Sequence, residues 1–112
     1  MLRSPSAGSS MRIHTGTITD TDRIALSNDL FELAESFAEE AKRWRPTARR
    51  EIERNSRLLA ELARGVLSGA ADFQRAEAFA DAGATTLAGT QEQRRVLTAR
   101  VTRRVKRGGR FA

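Results

Sequence analysis

Residues 26–66 read LSNDLFELAESFAEEAKRWRPTARREIERNSRLLAELARGV, and the spacing of their apolar residues decides the fold. Leu26, Leu30, Leu33, Phe37, Ala41 and Trp44 recur at steps of three and four. That rhythm places them on one stripe of a helix, because a helix turns once every 3.6 residues. Phe31, Ala34 and Ala38 widen the stripe. Asp29, Glu32, Glu35, Glu39 and Glu40 are assigned to the solvated side, and Asp20 or Asp22 is expected to cap the start. Pro46 has no amide hydrogen to donate, so it stops this helix and suits the first turn of the next.

The second helix carries Ala48, Ile52, Leu59, Leu62, Ala63 and Val66 on one face, interrupted by Asn55 and Ser56. Its outer face is mostly arginine. With so short a connection, the two helices are expected to fold back as an antiparallel hairpin, acidic beside basic. Exposed ion pairs contribute only about 0.2–1 kcal/mol each, so burial of Leu, Ile, Phe and Trp must hold the pair. In outline, two helices joined at a tryptophan are similar to small secreted helical hairpins with a Trp-x-Gly turn. Here the turn is Trp44-Arg45-Pro46, without the glycine, and there is no tyrosine for that group's C-terminal signal. These residues do not place the chain in that group, and Trp44 is expected to seal the end of the hairpin as a core residue.

Outward from the hairpin, residues 1–19 are expected to form a disordered or extended leader, with Met11 as an alternative start. Ser68-Gly69 closes the second helix, and a short third helix is expected over 70–82, ending at a left-handed Gly83. The small residues that follow suggest a linker over 84–89. Thr90 and Gln93 have capping-box spacing, which predicts a fourth helix from residue 90 into a basic tail ending at 112; its valines and threonines make a strand the alternative. The predicted fold is therefore all-α, with the hairpin and short third helix over 20–83 and a basic C-terminal helix and tail over 90–112.

The chain has 112 residues and a net charge of +6, unevenly spread. Residues 21–44 and 70–92 are acidic on balance, whereas residues 93–112 hold eight bases and no acid. On a helix, Arg100, Arg103, Arg104 and Arg107 share one face, and Leu97, Val101 and Val105 share another. The apolar stripe is expected to dock on the hairpin and present the arginines. Guanidinium groups at that spacing each suit a phosphate oxygen, and such clusters attract polyanions by releasing counterions. The candidate phosphate-contacting residues are Arg94, Arg95, Arg100, Arg103, Arg104, Lys106, Arg107 and Arg110, with DNA or RNA as partner. The competing expectation is a solvated tail on a helical assembly protein, phage-type or secreted, that acts through protein–protein contacts.

No catalytic or metal-binding pattern stands out. His14 is the single histidine, there is no cysteine, and no Glu-x-x-His pair, nucleophile elbow or Gly-rich phosphate loop is present. Enzyme activity and cofactors are not expected. No apolar run reaches the roughly 20 residues that span a bilayer, and no signal peptide is recognisable, so a cytoplasmic protein is expected. The Ala- and Arg-rich, Lys-poor composition is that of high-GC bacterial or phage genes. A thin, alanine-rich core suggests a homodimer or a helical protein partner.

Overall fold

The computed structural model describes residues 17–108, with side-chain surroundings as far as Val105. Three helices follow in order, α1 (Asp20–Ala41), α2 (Pro46–Ser68) and α3 (Phe73–Gly108), with no strand among the described residues. Most of the expected leader and extended segment lies outside them.

Local chemistry sets each boundary. Thr19, rather than Asp20 or Asp22, caps α1: its hydroxyl accepts from the Asp22 amide and its own amide donates to the Asp22 carboxylate, a reciprocal capping box. The first helix stops at Ala41, and Pro46 opens α2 as its first residue. Gly69, at φ +84°, ends α2 in the left-handed region where a Cβ is strained. The Asp72 carboxylate accepts from the Gln74 and Arg75 amides and starts α3.

The expected break over 84–89 is not there. One helix of 36 residues replaces the short third helix, the linker and the fourth helix. Gly83 is helical, not left-handed. Leu87 is buried in the core, which rewards continuing the helix through the small residues. Thr90 does not cap a new helix; its hydroxyl donates to the Thr86 carbonyl one turn back, as Thr85 does to Asp81.

The core is one cluster built mainly from Leu26, Leu30, Ala34, Phe37 and Ala41 of α1, Ile52, Leu59, Ala63 and Val66 of α2, and Phe73, Ala76 and Leu87 of α3. Ala38, expected on the seam, is exposed. Along the α1–α2 seam, three donors reach across to backbone carbonyls. Ser27 Oγ donates to the Ala63 carbonyl at 2.9 Å, Ser56 Oγ to that of Ala34 at 2.7 Å, and Arg49 Nε to that of Ala41 at 3.3 Å. The partners run in opposite senses on the two helices and step by seven on each. Small residues at these positions let the backbones approach closely enough for a hydroxyl to bridge them. Ser56, which interrupts the apolar face in sequence, is thus part of the joint.

Candidate functional site

The third helix carries most of the candidate residues, and its setting follows from how it lies along α1. A Cβ on Gly83 would stand 2.8 Å from Leu33 Cδ2, so glycine lets the two helices meet. Farther along, Arg94 reaches Glu40, one residue before the end of α1. From Arg94, α3 runs fourteen residues on to Gly108, about 21 Å at 1.5 Å per residue. The described chain is accordingly elongated, 66 × 30 × 15 Å.

Arg94, Glu40 and Trp44 form a polar cluster that joins α3 to the end of α1. Glu40 is only 1 % exposed, against the expectation of a solvated face. It takes two hydrogen bonds from the Arg94 guanidinium, that from Nη2 at 3.1 Å, and a third from Trp44 Nε1 at 2.9 Å. The Arg94 hydrogen bond holds the Glu40 carboxyl below the usual carboxylate range; burial opposes it, while Trp44 and the nearby charges of Arg94 and Arg43 add to it. Trp44 is half-buried against the core, and its indole N–H is spent on this carboxylate. Arg94 therefore ties α3 to the tip of the hairpin, and its side chain is engaged within the chain.

The other candidates separate by position. Arg95 is exposed and pairs with Glu92 one turn away at 3.0 Å. Arg100, Arg103 and Arg104 are exposed and bond to no group among the described residues. Lys106 and Arg107 continue the helical backbone, but their side chains, and all of Arg110, lie outside the described residues, as does His14. Among the described residues, no group of His, Asp and Glu is arranged to hold a metal ion. No helix among them is long and apolar enough to cross a membrane.

Leu97, Val101 and Val105 do not dock on the hairpin. They are exposed, Val101 at 57 %, because α1 has ended before their level. A second apolar surface lies between α2 and α3, a groove of about 590 Å³ lined by Leu58, Leu62, Phe79, Ala82 and Gly83 among others. Leu58 and Phe79 stand largely exposed at its mouth. The groove had no signal of its own in the sequence; it exists because α3 leans on α1 and leaves one side of α2 bare. No protein-family model, curated protein or solved structure matches the chain.

Proposed function

We propose that this is a small non-enzymatic nucleic-acid-associated protein, in which an antiparallel hairpin of α1 and α2 is the platform and the basic C-terminal half of α3 meets phosphates. The observation that carries the reading is the exposure of Arg100, Arg103 and Arg104 on a helix that extends past the end of α1, with no acid after Glu92 to neutralise them. Lys106, Arg107 and Arg110 extend the same charge by sequence. Arg94 leaves the phosphate set and becomes the residue that positions the helix. Arg95 shares Glu92 across an exposed pair of small energetic weight, so a phosphate can compete for it.

Salt dependence tests the proposal. With three to five phosphates met, log K against log salt on duplex DNA has a slope of about −3 to −5, at roughly −0.9 per phosphate. Replacing Arg100, Arg103 and Arg104 together by Gln flattens the slope, and base sequence matters little, because phosphate contacts position a protein without reading bases. Failure of the full-length chain to bind DNA or RNA at low salt overturns the reading.

A second reading, a helical assembly protein acting through protein–protein contacts, rests on a different observation. Leu97, Val101 and Val105 form an exposed apolar stripe on a projecting helix, which a monomer of this size has little reason to leave in water. Protein partners captured through this surface, with no salt-dependent binding to polyanions, favour that alternative.

A further inference from the structure

We infer that a second copy of this chain packs antiparallel along α3, so that the Leu97 and Val101 stripe of each copy fills the α2–α3 groove of the other. This goes beyond the phosphate contacts and does not depend on them.

The first argument is directional. At 100° per residue, Leu97 points the same way around α3 as Phe79, and Val101 the same way as Gly83. The groove wall and the uncovered stripe are thus two stretches of one helix face. A face that holds both a socket and the matching ridge suits a twofold pairing with itself, in which each copy supplies both.

The second argument is charge. In α3 and the turn before it, Asp72, Glu77, Asp81 and Glu92 precede the basic half, with Arg75 the only base among them. Beyond Glu92 there are only bases. Two copies aligned in parallel set arginine against arginine. Two copies aligned antiparallel set the basic half of each beside the acidic half of the other.

The third argument is steric. A twofold axis near Thr90 places Thr86 and Thr90 at the crossing, on the same side of α3 as Phe79 and Leu97. That axis brings Val101 of one copy opposite Phe79 of the other and Leu97 opposite Gly83. Phe79 and Leu58, exposed at 61 % and 55 % at the mouth of the groove, are covered when it is filled. Arg100 and Arg103 lie on the neighbouring face of the helix and stay toward solvent.

The chain has no cysteine, so engineered cross-links report the pairing directly. Positions 79 and 101 are about six turns apart on one helix, roughly 33 Å, too far for a disulfide within a chain. The double variant Phe79→Cys/Val101→Cys is expected to oxidise to a covalent dimer without nucleic acid present. Chains carrying only Phe79→Cys, mixed with chains carrying only Val101→Cys, are expected to cross-link to each other. Val101→Cys alone should not self-link, since the axis sets the two positions far apart. The native chain should sediment as a dimer, and Leu97→Glu with Val101→Glu should return it to a monomer with its helical circular dichroism kept. A native chain that stays monomeric across the micromolar range overturns the inference. So does self-linking of Val101→Cys, which means parallel pairing, or linking of Val101→Cys to Glu35→Cys in place of Phe79→Cys, which seats the stripe on the acidic side of α1.

Discussion

Arg94 closes on Glu40 from fifty-four residues away, and the pair decides where α3 stops being part of the bundle and starts being a projection. Up to this contact α3 lies along the hairpin; beyond it the helix has no neighbouring helix among the described residues. The same contact removes one arginine from the basic tail and gives it a structural task.

Replacing Arg94 by Gln should therefore lower the thermal midpoint and leave the salt slope of polyanion binding nearly unchanged. The pH dependence has a definite sign. The carboxyl of Glu40 is held below its ordinary pKa in the folded state, so its contribution is complete above the ordinary carboxylate pKa and is lost as pH falls through the lowered value. The gap between native and Arg94→Gln melting temperatures should be widest near neutrality and shrink in acid. A gap that is constant with pH places the Arg94 effect elsewhere.

Truncation makes the same point by another route. A chain ending after Arg95 keeps the Glu40 contact and should melt much like the monomeric Leu97→Glu/Val101→Glu variant. One ending after Gln93 leaves Glu40 buried without its guanidinium and should melt lower, although it is only two residues shorter. Paired melts followed by circular dichroism at neutral pH compare them. Equal midpoints argue that α3 is held by its apolar face alone.

Core substitutions should divide along the observed seam. Leu30→Ala and Leu59→Ala each remove a buried Leu and should cost about 2–5 kcal/mol. Glu35→Ala, on the exposed side of α1, should change stability by less than roughly 0.5 kcal/mol. Leu33 is only half-buried and fills the space beside Gly83, so Leu33→Ala should fall between them. Urea titrations give all four values on one scale.

The two glycines inside α3 should respond differently to alanine. Gly89 faces open space, so Gly89→Ala should stabilise by about 0.5–1 kcal/mol, the ordinary gain for a helix interior. At Gly83 the added methyl meets Leu33, and the shift of that side chain offsets the gain. If Gly83→Ala raises stability as much as Gly89→Ala, the approach of α3 to α1 is looser than described.

Much of this architecture was legible where local pattern and tertiary packing agree. The three–four rhythm from Leu26 to Phe37 marks buried positions, and Pro46 marks the turn. Residues 84–89 read as a linker because glycine and threonine are poor helix formers. The structure overrides that preference with the burial of Leu87 and the fit of Gly83 against Leu33, two facts about a neighbouring helix. Glu40 departs from its sequence pattern for the same reason. Its charge implies solvent, yet its position, one turn before Trp44 and three residues after Phe37, is at the edge of the seam. The exposure of Arg100, Arg103 and Arg104 followed from charge density alone, whereas nothing near Arg94 in sequence reveals its distant partner.

The serine and arginine bridges across the α1–α2 seam carry a last consequence. Because they repeat every seven residues, the joint is a vernier with more than one near-match. Sliding α2 by two turns along α1 would set Ser27 against Ser56 and Ala34 against Arg49, which repeats the seven-residue step of the native pairs. The four-residue turn between Ala41 and Pro46 is too short to permit the slide. The turn thus works as a ruler, picking one setting from a scale that the helices alone leave ambiguous, and a longer loop there would set the helices free to misalign.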